Sequence, residues 1–183
     1  MPPIADYKTI LHEVLIPEDR LQARITELGQ TISRDYAGRD LLLVCILRGG
    51  ILFLTDLMRK ISIPHAVDFM AVSSYGAGVR SSGGLVKIIM DLQTDIRGRP
   101  VLLVEDIVDT GHTISRVLDF LHIREPAQVD VCTLLDKHER REVQVPITYT
   151  GFQIPDKFVF GYGLDLDEYW RNLPFVAVAK TGV

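Results

Sequence analysis

The stretch VLLVEDIVDTGHT, residues 101–113, runs from four apolar residues into Glu105 and Asp106, then through two more apolar residues to Asp109, Thr110 and Gly111. Residues 101–104 read as a strand. Beyond it, Ile114, Val117, Leu118 and Leu121 fall on one face of a helix over 113–123. The junction thus lies at the carboxyl end of a strand, where open α/β sheets bind their ligands. Carboxylates this close repel one another, so a proton or a positive partner is expected among them. The turn itself suits a phosphate. The first backbone N–H groups of a helix lack internal partners and sit at the positive end of its dipole. Thr110 and Thr113 add hydroxyls, and Gly111 lets the backbone approach a ligand. A bare Asp-Thr-Gly is an ordinary helix cap. The preceding acids change that reading, because acids repel anions but accept hydrogen bonds from sugar hydroxyls and hold Mg²⁺ through its water shell. A sugar phosphate carrying Mg²⁺ accommodates every part.

Outward from this junction, apolar strands alternate with helices. A helix spans 18–36, with Leu21, Ile25, Leu28 and Ile32 at spacings of three and four. LLLVCIL (41–47) reads as a strand buried on both faces, and 51–61 as a helix. Residues 65–75, 85–90, 128–136, 157–163 and 175–180 read as further strands, and the Gly- and Ser-rich run between 75 and 85 as a loop. The pattern predicts an α/β fold: a mostly parallel twisted sheet with helices on both faces. The strand-end rule then selects Arg48-Gly49-Gly50, Glu105 to Thr113, and Asp136-Lys137. One domain over 1–183 is expected, with a core of about 38–140 and a small cap, or hood, from about 1–37 and 141–183.

The chain has 183 residues, 47% hydrophobic and 24% charged, with a net charge of −4. That balance speaks against a protein that coats nucleic acid or an anionic membrane. No basic N-terminal region precedes an apolar run, and no apolar run reaches the length of a membrane span, so a cytoplasmic protein is expected. Cys45 and Cys132 lie within apolar runs and read as buried free thiols. His12, His65, His122 and His138 show no metal-ligand spacing.

At its full length, VLLVEDIVDTGHT resembles the phosphoribosyl pyrophosphate signature of the type I phosphoribosyltransferases. The resemblance implies that Glu105 and Asp106 bind the ribose hydroxyls and that Asp109, Thr110, Gly111, His112 and Thr113 wrap the 5′-phosphate. LRGG (47–50) resembles the pyrophosphate loop of the 6-oxopurine branch, the hypoxanthine-guanine phosphoribosyltransferases, with Arg48 where many relatives carry Lys. In that branch the peptide before this position is often cis. SSYG (73–76) resembles the catalytic loop, which would bring Ser74 and Tyr75 to the pyrophosphate. LLDK (134–137) resembles the segment whose lysine reads the purine 6-oxo group, and IPDKFVFGYGLDLDEYWRNLP (154–174) the C-terminal purine segment. There Phe158 would stack on the base, Val159 would offer backbone groups to its 2-position, Asp165 would help hold Mg²⁺, and Arg171 would meet pyrophosphate. The resemblance covers about 40–180.

The activity implied by the resemblance is Mg²⁺-dependent purine salvage: transfer of phosphoribosyl from phosphoribosyl pyrophosphate to N9 of hypoxanthine or guanine, giving IMP or GMP and pyrophosphate. The catalytic set is Asp109, Ser74 and Tyr75. The pyrophosphate set is Arg48, Gly49, Gly50, Ser74, Tyr75 and Arg171. The purine set is Ile107, Lys137, Phe158, Val159 and Asp165, and the metal set is Glu105, Asp106 and Asp165. The family also implies a homodimer or homotetramer. The chemistry of Lys137 agrees independently, since an ammonium only donates and so suits a 6-oxo group over an exocyclic amine. Read alone, Lys137 and Arg171 are surface residues, Phe158 a core aromatic, and Asp165 a solvated turn acid. The competing readings are a transferase for xanthine or another base, a regulator that binds RNA, and a plain sugar-phosphate-binding module.

Overall fold

The structure is a computed structural model that describes residues 6–74 and 86–180. In chain order the elements are α1 (Tyr7–Ile10), β1 (Leu11–Ile16), α2 (Glu18–Asp35), β2 (Leu41–Leu47), α3 (Ile51–Lys60), β3 (His65–Ser74) and β4 (Val86–Met90). They continue as β5 (Pro100–Val108), α4 (His112–His122), β6 (Gln128–Asp136), a 3-10 turn (His138–Arg140), β7 (Tyr149–Gln153), β8 (Val159–Phe160) and β9 (Val176–Ala179).

Six strands form one sheet in the order β4-β3-β2-β5-β6-β7. The β3-β2, β2-β5, β5-β6 and β6-β7 pairs are parallel, and β4 runs antiparallel on the β3 edge. β2 and β5 are central, so both faces of each are buried and their sequences are apolar without alternation. The pleat sends Leu41, Leu43 and Cys45 to one face, against Leu21, Ile25 and Ile32 of α2 and Phe53, Leu54 and Leu57 of α3. Leu42 and Val44 point to the other face, against Ile114, Val117 and Leu121 of α4. Each such buried aliphatic side chain stabilises by about 1.5–3 kcal/mol, which is why the period-3.6 stripes of these helices decide their docking. α2 and α3 approach closely at Gly29, where an added Cβ would lie 2.5 Å from Lys60 Cβ. Both cysteines are buried and free.

A second, antiparallel sheet, β1-β9-β8, joins strands from the two terminal segments and is termed the hood. α2 and β7, at 18–35 and 149–153, pack with the six-stranded sheet instead.

Several elements differ from their sequence reading. β5 continues through the acids to Val108, because β6 pairs with it at Glu105↔Thr133 and Ile107↔Leu135. The strand expected over 157–163 shrinks to Val159–Phe160, since Gly161, Tyr162 and Gly163 all take positive φ (90°, 49° and 96°) and break the pairing. β1 and β7 have no counterpart in the sequence reading, being short and only half-buried in pattern. Among the described residues no helix is long and apolar enough to cross a membrane.

Candidate active site

Two adjoining cavities open at the carboxyl ends of β2, β5 and β6. The first, of about 480 Å³, is lined by Arg48, Gly49, Glu105, Asp106, Thr113 and Arg171, among others. The second, of about 680 Å³, is lined by Ile107, Asp109, Lys137, Arg140, Phe158 and Val159. Asp165 and Glu168 line both.

The floor of the first cavity is the loop from β2 to α3. The Leu47–Arg48 peptide is cis. A Cβ at Gly49 would lie 1.6 Å from Asp106 Oδ2, so only glycine lets this backbone lie against the carboxylate. From the other side Gly163 of the hood, at φ 96°, presses on the same loop: a Cβ there would lie 2.1 Å from the Gly49 carbonyl oxygen. Gly50 is the N-cap of α3 and packs on Cys45 rather than lining the cavity. Arg48 pairs with Glu168 at 2.7 Å. Arg171 pairs with Asp165 at 2.8 Å and donates to the Gly163 carbonyl at 2.8 Å. Two arginines and two hood acids therefore interlock above the loop.

Glu105 and Asp106 stand at the back of this cavity. Glu105 Oε2 is buried and accepts no hydrogen bond among the described residues. Burial pushes the Glu105 carboxyl well above its ordinary value, and the neighbouring Asp106 carboxylate adds to this. Burial also raises Asp106, opposed by the Ile107 backbone N–H and by Arg171. A buried carboxylate without a partner destabilises the empty protein. The folded state holds the Glu105 proton at pH values where the unfolded chain has released it. Stability linked to Glu105 therefore falls as pH rises from its unfolded value of 4.5 through its raised folded value. Glu105→Gln is accordingly expected to stabilise the ligand-free protein at pH 7 by about 1–2 kcal/mol, roughly 2–8 °C in melting temperature. A thermal scan with no gain at pH 7 would show that Glu105 is not a source of instability.

The turn after β5 is held from behind. Gly111, at φ 92°, packs where a Cβ would lie 2.3 Å from the Val143 carbonyl oxygen. The Thr110 carbonyl accepts from the Glu142 and Val143 N–H groups, each at 3.0 Å. Arg141, paired with Asp136, donates to the Asp109 carbonyl at 3.1 Å. His112 pairs with Glu142 at 2.9 Å and its ring is partly exposed.

At the second cavity Asp109, Lys137 and Arg140 of its wall form, with Asp156 beside them, a ring of alternating charge. Lys137 Nζ is 3.8 Å from Asp109 and 3.5 Å from Asp156. Arg140 lies 3.2 Å from Asp109 Oδ1 and 3.4 Å from Asp156. Asp109 Oδ1 is buried, yet the Arg140 contact is too poorly aligned to count as a hydrogen bond. The Lys137 side chain is only 8% exposed, unlike a solvated surface lysine. Phe158 is 60% exposed at the cavity wall, so an apolar ring face is free for a planar ligand.

Of the residues singled out from sequence, Arg48, Gly49, Glu105, Asp106, Thr113, Asp165 and Arg171 meet at one cavity, and Ile107, Asp109, Lys137, Phe158, Val159 and Asp165 at the other. Thr110, Gly111 and His112 form the adjoining turn and helix start. Ser74 ends β3, and its side chain, with Tyr75 and the rest of the expected catalytic loop, lies outside the described residues. Sequence reasoning missed Arg140, Asp156 and Glu168. In the sequence the Arg140-Arg141 pair registers only as a short basic run. Its spacing of three from Lys137 was the available signal, because the 3-10 turn 138–140 brings the two cations to one side.

Comparison with known proteins places the chain in a family. A model of the phosphoribosyl transferase domain matches residues 17–168. Hypoxanthine phosphoribosyltransferase of Salmonella typhimurium is 51% identical over 166 residues, covering 90% of this chain and 93% of that protein. Hypoxanthine-guanine phosphoribosyltransferase of Mycobacterium avium is 48% identical over 176 residues, 93% of this chain and 86% of the relative. The crystal structure of a Staphylococcus aureus hypoxanthine phosphoribosyltransferase superposes with a TM-score of 0.91 at 40% identity, covering 97% of this chain and 96% of that one. The chain belongs to the phosphoribosyl transferase family, and its fold is that of the type I enzymes.

Proposed function

We propose that the protein is a purine salvage enzyme that transfers the 5-phosphoribosyl group from phosphoribosyl pyrophosphate to N9 of hypoxanthine or guanine. The products are IMP or GMP and pyrophosphate. The observation that carries this reading is the pair of adjoining cavities, one with a cationic loop and an acid pair, the other with a buried lysine and an open aromatic face. Relatives named for the same reaction support it.

The reaction breaks the bond from C1′ to pyrophosphate and forms the bond from C1′ to N9, with positive charge building on the ribose as in glycoside cleavage. Glu105 and Asp106 accept from the ribose hydroxyls. Thr110, Gly111, His112 and Thr113 hold the 5′-phosphate through backbone N–H groups and hydroxyls. Arg48, Arg171 and the backbone at Gly49 bind pyrophosphate, the two arginines exchanging their present carboxylate partners for it. Lys137 donates to the 6-oxo group, Phe158 stacks on the base, and Ile107 and Val159 border it. Asp109 takes the proton that the purine loses, at N7. On the resemblance to the family, Ser74 and Tyr75 would meet the pyrophosphate and shield it from water.

Mg²⁺ fits the donor set. Glu105 Oε2 lacks a hydrogen-bond partner, Asp106 adjoins it, and Asp165 stands across the same cavity. Mg²⁺ characteristically keeps several waters, so few protein carboxylates would be needed to hold it. When bound, Mg²⁺ would neutralise the leaving pyrophosphate. The reading extends to a cytoplasmic homodimer or homotetramer, on the resemblance to the family.

The test is turnover of phosphoribosyl pyrophosphate with hypoxanthine, guanine, xanthine and adenine, each with and without Mg²⁺. Hypoxanthine or guanine is expected to exceed adenine by at least about 10²-fold in kcat/KM, because adenine leaves the Lys137 ammonium facing a donor. Equal use of adenine, or no turnover of any base, would sink the proposal.

A further inference from the structure

The Gly161-Tyr162-Gly163 turn contains three successive residues at positive φ, and the middle one is not glycine. Such a conformation is rare for an aromatic residue, so something outside the turn must hold it. Tyr162 is 4% exposed, and its hydroxyl donates to Asp56 Oδ2 at 2.5 Å. Gln22 Nε2 of α2 donates to the same carboxylate oxygen at 2.7 Å. Asp56 lies on α3, the helix that begins directly after the 48–50 loop. The hydroxyl, the carboxylate and the amide thus join α2, α3 and the hood. Burial, followed by the Asp56 contact, pushes the phenol well above its ordinary value, so it stays a donor.

The load that the turn carries gives this anchor its meaning. The Tyr162 N–H donates to the Leu173 carbonyl at 2.9 Å, and the Gly163 N–H to the Arg171 carbonyl at 2.8 Å. The Gly163 carbonyl in turn accepts from the Arg171 guanidinium at 2.8 Å. The Gly163 Cα packs on the Gly49 carbonyl. A shift of Tyr162 therefore moves two walls of the first cavity together, the Arg171 side chain and the Gly49 peptide.

We propose that Tyr162, anchored on Asp56 and through it on Gln22, is a positioning residue that sets the distance between Arg171 and the 48–50 loop for pyrophosphate. The inference rests on the reading of the first cavity as the pyrophosphate site. Tyr162 makes no contact with substrate and acts only through Gly163.

Tyr162→Phe keeps the ring and removes the hydroxyl. Steady-state constants for phosphoribosyl pyrophosphate and hypoxanthine, competitive inhibition by inorganic pyrophosphate, and a melting curve are measured together. The expected result is a rise of about tenfold in both the KM for phosphoribosyl pyrophosphate and the inhibition constant of pyrophosphate. The KM for hypoxanthine stays within about twofold. A merely structural role would lower the melting temperature while leaving the two pyrophosphate-linked constants unchanged, or move all constants alike; either result overturns the inference. If Tyr162→Phe does not fold, Gln22→Leu, which removes the second arm on Asp56, is measured the same way. A rise of about two- to threefold in the same two constants is then expected, and no rise overturns it. Should pyrophosphate fail to compete with phosphoribosyl pyrophosphate in the unaltered protein, the cavity assignment falls and the inference falls with it. Competition in the unaltered protein with no change in the variants removes the inference alone.

Discussion

Replacing Asp109 by asparagine lowers kcat for hypoxanthine by about 10²- to 10³-fold and leaves the KM for phosphoribosyl pyrophosphate within about threefold. Asparagine matches the carboxylate in shape but cannot take a proton at neutral pH. The position supports the role. Asp109 sits at the mouth of the turn after β5, in the wall of the base cavity, with Arg140 at 3.2 Å and Lys137 at 3.8 Å. One of its oxygens is buried without a well-formed hydrogen bond, so the side chain is not consumed in capping the helix. The N-cap position belongs to Gly111, which has no side chain to cap with. Steady-state turnover with hypoxanthine at saturating phosphoribosyl pyrophosphate checks this. A kcat within about threefold of the unaltered protein would remove Asp109 from the chemistry.

The second large effect comes from a single methyl group. Gly49→Ala would place a Cβ 1.6 Å from Asp106 Oδ2 and 2.7 Å from its Cγ. The carboxylate cannot simply swing aside, because Asp106 Oδ1 accepts from the Ile107 N–H at 2.9 Å. Nor can the loop retreat, because Gly163 already packs on the Gly49 carbonyl. We expect the KM for phosphoribosyl pyrophosphate to rise by about 10²-fold, with a stability loss of about 2 kcal/mol, roughly 4–8 °C in melting temperature. Kinetics with varied phosphoribosyl pyrophosphate, alongside a melting curve, check both. An unchanged KM would mean that the loop and the acid pair do not share a ligand.

Much of this architecture was legible in the sequence because its signals are contiguous. The strand, the acids, the glycine turn and the α4 stripe all fall within 101–121, and the structure places them as one β-turn-α unit. The central strands declared themselves by uninterrupted apolar runs. The hood did not, since β1 alternates half-buried and exposed residues, with only Ile16 buried, and β8 has two residues. Neither pattern rises above a loop. The site shows the same division. Glu105, Asp106 and Thr113 were readable from local context, whereas Arg140, Asp156 and Tyr162 act through partners far along the chain. The Gly163 contact with Gly49 and the Tyr162 contact with Asp56 come from the docking of the hood, which no local periodicity encodes.

The segment 141–143 behind the phosphate turn has a thermodynamic consequence. Arg141, Glu142 and Val143 occupy the Asp109 and Thr110 carbonyls from the rear, and Val143 closes on Gly111. The turn is thereby ordered before any ligand arrives. Little chain entropy remains to be lost when a phosphate settles on it. Whatever ordering accompanies catalysis must then be drawn from other parts of the site, and the recognition of phosphate is a near-rigid event.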